Sequence, residues 1–446
     1  MKPEEHAGPL FTDLYELTMA AAYFTRGLDE EATFSLYIRP HQRRTYFVAA
    51  GLEQALQYLA GWRFSGSDLD YLRRLNLFTP DFLAYLENLK FRGKVRAMAE
   101  GTIFFADEPV LELTAPIIQA QLLETCLINT VGMATMIATK AARCVHAARG
   151  KTVVDFSLRR TQGASAGMTV ARSSYLAGFA ATSNVLAGKL LGIPVSGTMA
   201  HSYVLAFENE IDAFRAYART FPQNTVLLID TYDTISGARN AITVAREMQA
   251  AGRRLAGVRL DSGDMAGLSR QVRRMLDGAG MQDVKIFASS GFDEFKIEDL
   301  LNREAAIDAF GVGTKMGVSA DAPYLDIVYK LVRYADRNVR KLSPAKATLA
   351  GAKQVFRRQD ESGRLTEDII ALDSEPVPSG ARALLEPVMA GGRITVCLSG
   401  LETIRRNFRA EFDRLDQRYK KLEGAARFPV SISPALARLQ EQTGRQ

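Results

Sequence analysis

A histidine set in a turn of small residues is the most suggestive chemical feature of this sequence. Residues 196–203 read Ser-Gly-Thr-Met-Ala-His-Ser-Tyr, and His201 is one of only four histidines in 446 residues. The small neighbours leave space and free backbone donors around the imidazole, which a side chain needs if it accepts and releases a bulky anion such as a phosphoryl group. We therefore interpret His201 as a candidate nucleophile, with a structural loop histidine as the alternative.

A second candidate lies at residues 258–264, which read Val-Arg-Leu-Asp-Ser-Gly-Asp. Arg259 and Asp261 stand two residues apart at the end of an apolar run, so both side chains can leave a strand on the same face. The guanidinium could bind a carboxylate through two hydrogen bonds, and Asp261 could bind ribose hydroxyls or a metal ion. The alternative is a local ion pair that closes the turn after a strand.

Two short loops of small residues could present backbone N–H groups to phosphate. They cover 289–293, with Gly291, and 311–314, with Gly313 and Thr314. Such turns are common, so each loop is a weak signal by itself. Their positions before helical patterns nevertheless suit anion binding.

Six short apolar or β-branched runs must position these residues. Each run predicts a strand, and helical patterns lie between the runs. The runs cover 152–156, 193–196, 225–229, 255–260, 284–288 and 309–313. Repeated strand-helix units predict a parallel α/β barrel or a doubly wound sheet, and both folds place chemistry at the carboxyl ends of the strands.

That rule gathers the polar residues after the predicted strands into one candidate site. Its members share a position just beyond the end of a strand, and they supply cationic, anionic and hydroxyl groups. They are Arg159, Thr198, His201, Asp230, Asp261, Asp264, 289–291, Gly313 and Thr314. If the strands are parallel, these residues converge on one face.

The flanking regions have a different pattern. Helices are predicted over 173–191, 210–220, 234–251, 265–276 and 294–302 within the strand-rich region, and over 401–422 near the end. A helix from Asp13, a strand over 32–38, a helix over 51–58 and short strands over 341–344 and 351–357 lie outside it. We expect an α/β barrel catalytic domain at 131–329, and an α+β domain at 1–130 that is completed by 330–446.

The composition limits the possible partners. Hydrophobic residues make up 47% of the chain, and no uninterrupted apolar stretch is long enough to span a bilayer, so we expect no membrane partner. The amino terminus has no signal-type apolar stretch, which predicts a cytoplasmic protein. Three widely spaced cysteines, Cys126, Cys144 and Cys397, predict reduced thiols rather than disulfides or a zinc site.

The net charge of +6 could indicate a protein that binds nucleic acid, but the distribution of the basic residues argues against that partner. The basic residues come as scattered pairs mixed with acids, without an aromatic-interleaved basic stripe or a groove-reading motif. A small, highly phosphorylated substrate would favour a positive site equally well.

Several segments, in this order along the chain, resemble the signature segments of the nicotinate phosphoribosyltransferase family. The resemblance covers about residues 8 to 360, and we find no matching segment after about residue 400. The segments are 12–19 (Thr-Asp-Leu-Tyr-Glu-Leu-Thr-Met), 156–160, 183–188, 197–202, 259–264 and 311–314, with similar ones at 329–332 and 353–357.

The resemblance implies a type II phosphoribosyltransferase with an irregular parallel α/β barrel and a second α+β sheet domain built from both chain ends. Members of the family join nicotinate to phosphoribosyl pyrophosphate, which gives nicotinate mononucleotide and pyrophosphate in the salvage route of NAD biosynthesis. ATP hydrolysis is coupled to the reaction through a phosphorylated histidine. The resemblance therefore implies ATP as co-substrate, and the leaving diphosphate calls for Mg²⁺ or cationic side chains.

The same resemblance assigns roles to individual residues. His201 matches the phosphorylated histidine, with Asp230 beside it, and Asp261 is a candidate carboxylate near the ribose together with Asp264. We assign no residue as a metal ligand. The expected substrate-binding residues are Tyr15, Arg159, Thr198 and Arg259 around nicotinate, and Gly291, Gly313 and Thr314 around the phosphoribosyl phosphates. In relatives Tyr15 reaches the site of a neighbouring subunit, which implies a homodimer.

Two other functions stay open at this point. Nicotinamide phosphoribosyltransferase resembles the chain around the histidine and the Arg-x-Asp-Ser-Gly-Asp segment. That family holds the carboxamide with an acidic residue on the turn that matches Ser183 and Asn184, and here this turn is neutral, which favours an anionic ring. The other alternative is a non-catalytic barrel that binds nucleotides, and the joint presence of His201, Arg259 and Asp261 argues against it.

Overall fold

The chain forms two compact units in the computed structural model, which describes residues 8–343 and 347–443. Both ends of the chain, up to Thr139 and from Ala322, form one unit, which we call the terminal unit. The stretch Lys140–Asp321 forms the central unit. Among the described residues, no helix combines the length and apolar composition that crossing a membrane requires.

The described residues of the amino-terminal part of the terminal unit form five strands and six helices. The strands are β1 (Glu31–Ile38), β2 (Phe47–Val48), β3 (Lys94–Ala97), β4 (Ile103–Phe104) and β5 (Pro109–Pro116). The helices are α1 (Leu14–Arg26), α2 (Leu52–Gly61), α3 (Gly66–Arg74), α4 (Pro80–Glu87), α5 (Ile117–Gln121) and α6 (Glu124–Ala147), whose last residues belong to the central unit.

The central unit alternates strands with helices. Its strands are β6 (Thr152–Asp155), β7 (Ala181–Thr182), β8 (Val226–Leu228), β9 (Gly257–Leu260), β10 (Lys285–Ser289) and β11 (Ala309–Val312). Its helices are α7 (Ala164–Leu176), α8 (Val185–Leu191), α9 (His201–Leu205), α10 (Glu210–Thr220), α11 (Thr234–Ala250), α12 (Met265–Gly278), α13 (Glu294–Asn302) and α14 (Thr314–Gly317).

The carboxyl-terminal part returns to the terminal unit, and within 322–343 and 347–443 it forms eight strands and three helices. The strands are β12 (Ile327–Tyr334), β13 (Arg337–Asn338), β14 (Lys353–Gln359), β15 (Leu365–Leu372), β16 (Ala381–Ala383), β17 (Glu386–Ala390), β18 (Arg393–Ile394) and β19 (Val430–Ile432). The helices are α15 (Leu401–Arg414), α16 (Gln417–Lys420) and α17 (Pro434–Thr443).

The six strands of the central unit form one parallel sheet in the order β7-β6-β11-β10-β9-β8. A single parallel bridge from Thr182 to Val195 continues the sheet beyond β7. The predicted mixed α/β class with a parallel sheet is therefore confirmed. Five of the six predicted strands are present, whereas residues 193–196 contribute only the Val195 bridge.

The prediction of one continuous helix over 173–191 is wrong, because this stretch contains the end of α7, strand β7 and helix α8. The chain leaves α7 through Gly178, whose φ of +107° is a conformation that glycine adopts without strain. Asn184 then starts α8, and its side-chain oxygen accepts a hydrogen bond from the Ala187 N–H at 3.1 Å. A short strand between two helices gives too weak a periodic signal to be separated from them.

The terminal unit is built around a seven-stranded antiparallel sheet in the order β13-β12-β1-β5-β3-β17-β18. Strands from the amino-terminal part, β1, β3 and β5, lie between strands from the carboxyl-terminal part. A four-stranded sheet, β16-β14-β15-β19, and the small β2-β4 pair complete the unit. The two ends of the chain therefore share one sheet.

Strand β1 shows how the two ends are joined. Its apolar face carries Phe34, which stacks on Tyr329 of β12 with ring centroids 4.6 Å apart. The polar alternate positions are buried as well, since the Ser35 hydroxyl donates to Glu112 at 2.5 Å and Glu112 lies 3.6 Å from the buried ammonium of Lys353 on β14. Both faces of the strand are covered, so its alternating pattern does not mark a solvent-exposed face.

The long helix predicted over 401–422 is interrupted. Helix α15 ends at Arg414, and Leu415 is buried in an extended conformation with φ −73° and ψ 132°. Asp416 then caps the short helix α16 by accepting a hydrogen bond from the Arg418 N–H at 2.9 Å. Of the strands predicted after residue 330, 351–357 largely matches β14, whereas 341–343 forms no strand and Pro344 lies outside the described residues.

Candidate active site

The carboxyl ends of the parallel strands lie along one edge of the sheet, as they must when all strands run in the same direction. Asp230 follows β8, Asp261 follows β9, and the loop with Gly291 follows β10. His201 reaches the same region by another route, because it begins α9 after the chain has passed the Val195 bridge.

His201 lies between a hydroxyl and a carboxylate. Its Nδ1 is 3.2 Å from Oγ1 of Thr231, and its Nε2 is 3.7 Å from Oδ2 of Asp261. The side chain is 40% exposed, so the ring remains accessible to a ligand, while its Nδ1 is within hydrogen-bond distance of Thr231. This is the arrangement that a nucleophilic or proton-carrying imidazole requires.

The two carboxylates after β8 and β9 are linked through the backbone. Oδ2 of Asp230 accepts hydrogen bonds from the Asp261 N–H at 2.8 Å and from the Ser262 hydroxyl at 2.6 Å. Asp261 in turn accepts a hydrogen bond from the Ser289 hydroxyl at 2.5 Å. Asp230 therefore fixes the turn that aims Asp261 at the ring of His201.

Arg259 points its guanidinium at the turn that precedes His201. Its Nη1 donates a hydrogen bond to the Thr198 hydroxyl, whereas its Nε is buried without a hydrogen-bond partner among the described residues. Burial lowers the pKa of Arg259, although the charges of Asp261 and Asp230 oppose that shift. Such a half-satisfied guanidinium is suited to bind an anionic group of a substrate.

Arg159 belongs to the turn after β6, where its side chain is exposed. It lies on a short 3₁₀ helix, Leu158–Arg160, and its charge also lowers the pKa of Arg259. The buried Asp155 anchors the turn by accepting hydrogen bonds from the N–H and hydroxyl of Ser157 at 2.8 and 2.5 Å and from Thr182 at 2.7 Å. One carboxylate therefore ties together the ends of β6 and β7.

The two glycine turns are connected by a salt bridge. Gly291 has φ +57°, and Gly313 precedes Thr314 at the start of α14. Asp293 caps α13 by accepting from the Lys296 N–H at 2.9 Å, and its other oxygen accepts from the Lys315 ammonium at 2.8 Å. The spacing of the two turns is therefore fixed by side chains as well as by strand pairing.

Asp264 has a structural role in this arrangement. It caps α12 through a hydrogen bond from the Gly267 N–H at 3.3 Å, and it pairs with Arg303 at 3.0 Å. Both oxygens are thus engaged at the start of the helix. Of the two candidate carboxylates in this segment, only Asp261 contacts the candidate nucleophile.

Tyr15 belongs to the terminal unit, where it lies on α1 with 47% of its surface exposed. Partial burial of the hydroxyl and the nearby carboxylates of Glu124 and Glu16 raise the pKa of Tyr15. Glu16 is fully buried and accepts a hydrogen bond from the Thr125 N–H at 3.1 Å. The ring of Tyr15 is therefore presented at the surface by a firmly anchored helix.

Sequence reasoning missed Thr231 and Asp155. Thr231 follows Asp230 at the same strand end, so the rule that selected Asp230 would also have selected its neighbour. Asp155 is the last residue of its strand, and nothing in the sequence distinguishes it from a residue that only packs. No group of three or more His, Cys, Asp or Glu side chains with metal-binding geometry occurs in the part of the chain that the structure describes.

The carboxylates nevertheless suit a divalent cation that is shared with a phosphorylated ligand. Oδ1 of Asp230 is buried and has no hydrogen-bond partner among the described residues. Mg²⁺ is commonly bound through one or two carboxylates, with substrate phosphates and water as the other ligands. Asp230 and Asp261 supply oxygen donors of this kind.

Family models of nicotinate phosphoribosyltransferase match most of the chain. The model of the N-terminal domain matches residues 10–132, that of the nicotinate phosphoribosyltransferase family matches 152–352, and that of the C-terminal domain matches 377–440. The last match extends the similarity beyond residue 400, where the sequence alone gave no matching segment.

Curated proteins and solved structures agree with these matches. Nicotinate phosphoribosyltransferase pncB2 of Mycobacterium tuberculosis is 45% identical over 438 residues, which cover 97% of this chain and 93% of that protein. Nicotinate phosphoribosyltransferase of Bacillus subtilis is 44% identical over 82% of this chain and 77% of its own length. The crystal structure of human nicotinic acid phosphoribosyltransferase is similar with a TM-score of 0.87 and 28% identity, over 97% of this chain and 99% of that chain.

Proposed function

Because this chain belongs to the nicotinate phosphoribosyltransferase family, we propose that it joins nicotinate to phosphoribosyl pyrophosphate and releases nicotinate mononucleotide and pyrophosphate. Two contacts in the central unit carry the proposal: Arg259 donates a hydrogen bond to Thr198, and His201 lies beside Asp261. An anion-binding guanidinium, an accessible imidazole and a carboxylate are the groups that this reaction needs.

Arg259 and Thr198 would bind the carboxylate of nicotinate, with the charge of Arg159 nearby. The unpartnered Nε of Arg259 supports this role, since a carboxylate would complete its hydrogen bonds and compensate its buried charge. The ring nitrogen attacks the anomeric carbon as the bond to pyrophosphate breaks. The residues around the ring therefore mainly have to orient it.

Asp261 would face the ribose, where positive charge develops as pyrophosphate leaves. Its fixed position, held by the Asp230 carboxylate and the Ser289 hydroxyl, supports this role. Gly291, Gly313 and Thr314 would bind the phosphoribosyl phosphates through backbone N–H groups and a hydroxyl. The bridge from Asp293 to Lys315 would keep the two turns at the spacing of the phosphates.

Asp230 and Asp261 would hold Mg²⁺, with the unpartnered Oδ1 of Asp230 as the main support. When bound, Mg²⁺ would supply positive charge to the leaving diphosphate. His201 would accept the γ-phosphoryl group of ATP, because its ring is partly exposed, is hydrogen-bonded at Nδ1 and lies beside the Asp261 carboxylate. Coupling to ATP hydrolysis would follow from turnover of this phosphohistidine.

We propose further that the parallel sheet closes into the irregular barrel that the family resemblance implies. His201 and Thr198 follow the Val195 bridge beyond β7 at one end of the strand order, and they contact Thr231 and Arg259 at the other end. The chain segments at the two edges of the sheet therefore meet. This supports curvature sufficient for closure.

The central unit would be the catalytic domain, and the terminal unit would complete the ring-binding pocket in a homodimer. The exposed ring of Tyr15, with Leu14 and Phe11 exposed beside it, supports an interaction surface on α1. In this proposal Tyr15 of one subunit stacks on the nicotinate bound by another.

Product formation and phosphorylation can be followed in one experiment. The purified protein is incubated with nicotinate, phosphoribosyl pyrophosphate, Mg²⁺ and γ-labelled ATP, and both nicotinate mononucleotide and acid-labile protein-bound phosphate are measured. We expect both in the wild type, no label in His201→Gln, and full label in the control His41→Gln, whose histidine lies in the terminal unit. Equal labelling of His201→Gln would refute the role of His201, and absence of nicotinate mononucleotide in the wild type would refute the function.

A further inference from the structure

The hydroxyl of Thr231 contacts the proposed nucleophile and has no role in the function proposed above. Thr231 lies in the connection from β8 to α11, and its Oγ1 is 3.2 Å from Nδ1 of His201. On the other side of the ring, Asp261 is the residue that contacts Nε2. Among the described residues, the imidazole therefore has one polar neighbour at each nitrogen.

We infer that Thr231 is a positioning residue for His201, whose hydroxyl holds Nδ1 and, together with Asp261 at Nε2, selects one orientation and one tautomer of the ring. This inference rests on the proposed function, in which His201 is the phosphoryl acceptor. It adds a residue to which neither the family resemblance nor the strand-end rule assigned a role.

The two neighbours of the ring differ in their hydrogen-bonding capacity. An ionised carboxylate only accepts, so Asp261 favours the proton on Nε2. A hydroxyl can donate or accept, so Thr231 can donate to the lone pair that this tautomer leaves on Nδ1. Both contacts thus favour the same neutral form, with the proton on Nε2 and the nucleophilic lone pair on Nδ1.

This tautomer leaves Nδ1 as the atom that attacks the γ-phosphorus of ATP. The Nδ1 lone pair forms the P–N bond while the γ-phosphorus loses its bond to the bridging oxygen, and ADP leaves with that electron pair. The ring becomes positively charged, and its Nε2 proton is stabilised by Asp261. The Thr231 hydroxyl must release the Nδ1 lone pair as the γ-phosphorus approaches, and it can then turn and donate to a phosphoryl oxygen.

Positioning matters here because the side chain of His201 is substantially exposed. The 3.7 Å separation from Asp261 is longer than a hydrogen bond, so this contact alone fixes the ring direction weakly. Removing the hydroxyl would let the ring rotate and would populate both tautomers. The loss should appear in the rate of phosphoryl transfer more than in the binding of ATP.

Three variants separate the hydroxyl from the shape of the side chain. Thr231→Val keeps the branched shape and removes the hydroxyl, and Thr231→Ser keeps the hydroxyl. The control is Thr243→Val on the exposed face of α11, where the hydroxyl contacts only the Arg239 carbonyl among the described residues. The labelling rate of His201 is measured against ATP concentration, and ring tautomers are read from ¹⁵N shifts of histidine-labelled protein, assigned with His201→Gln.

We expect Thr231→Val to lower the maximal labelling rate about 10- to 100-fold with a nearly unchanged KM for ATP. Thr231→Ser should restore most of the rate, Thr243→Val should match the wild type, and only Thr231→Val should shift the ¹⁵N signals toward a mixture of tautomers. If Thr231→Val does not fold, Thr231→Ala replaces it in the same comparison.

Wild-type labelling and wild-type ¹⁵N shifts in Thr231→Val would overturn the inference, and so would equal losses in the Val and Ser variants. Failure of the proposed function has a different signature. In that case wild-type His201 takes no label, while the ¹⁵N comparison still decides whether Thr231 selects the tautomer.

Discussion

The proposed site brings together side chains of opposite charge, among them the guanidinium of Arg259 and the carboxylates of Asp261 and Asp230. Arg259 is largely buried. The negative charges of Asp261 and Asp230 stabilise its positive charge, and the like charge of Arg159 destabilises it. This balance suits a reaction that begins with an anionic ring and a diphosphate and passes through a cationic sugar. Asp155 and Asp230 hold the turns that carry these groups: Asp155 uses both carboxylate oxygens for this purpose, and Asp230 uses Oδ2.

The residues proposed to do the chemistry were easier to select from the sequence than those that hold them in place. His201, Arg259 and Asp261 carry rare or charged side chains beside glycine at the ends of apolar runs, and such patterns are visible in one sequence. Thr231 acts through one hydroxyl, whose Oγ1 lies 3.2 Å from Nδ1 of His201. Because threonine is common in loops, its presence after a strand carries little information. Only the folded structure shows which loop hydroxyl reaches the ring.

At the scale of elements, the position of Asp230 and Thr231 depends on how closely α11 packs against the end of β8. Gly237, in the first turns of α11, lies so near the backbone that a Cβ atom there would be 2.1 Å from the Ile229 carbonyl oxygen. Ile229 directly precedes the two site residues. A glycine is therefore required for the helix to approach this strand.

Gly237→Ala should push α11 away from the strand and disturb the loop that carries Asp230 and Thr231. We expect a loss of about 1–3 kcal/mol in the free energy of unfolding, as in other overpacked sites, and a clear loss of kcat. Gly278→Ala is the matched control, because no atom lies within 4 Å of a Cβ at that helical position. Urea unfolding and turnover of both variants check the expectation, and equal behaviour of the two would contradict it.

Most elements of the central unit could be predicted from periodicity, since α10 and α13 have the predicted bounds and five strands were found. The exceptions have local causes. In the central unit, strand β7 has only two residues between two helices. In the terminal unit, α15 ends where Leu415 turns inward, although the charged pattern continues. A helix break that is specified by burial of one leucine leaves no periodic signal.

At the scale of the whole molecule, the sequence indicated that both chain ends belong together, and the resemblance to a family was confirmed by matches over nearly the entire chain. The register between distant strands could not be predicted, because pairs such as Phe34 with Leu331 depend on which faces are buried. Barrel closure and the homodimer remain predictions.

The homodimer can be tested by mixing two inactive variants, Tyr15→Ala and His201→Ala. In a mixed dimer, one of the two sites regains both an intact tyrosine and an intact histidine, so subunit exchange should restore part of the activity. Neither parent contributes signal, which makes the readout sensitive. If exchanged dimers stay as inactive as the parents, Tyr15 does not complete a partner's site.

The most direct test of the central claim is the choice between rings. Values of kcat/KM are measured for nicotinate, nicotinamide and quinolinate with the wild type, Arg259→Lys and the control Arg254→Lys, whose side chain is exposed and paired with Asp283. We expect nicotinate to be strongly preferred, and Arg259→Lys to lower its kcat/KM about 10- to 100-fold, because an ammonium cannot replace a guanidinium that holds a planar carboxylate. Nicotinamide should be affected less, and Arg254→Lys should change nothing. Equal use of nicotinamide or quinolinate by the wild type, or an equal loss for nicotinate and nicotinamide in Arg259→Lys, would contradict the account.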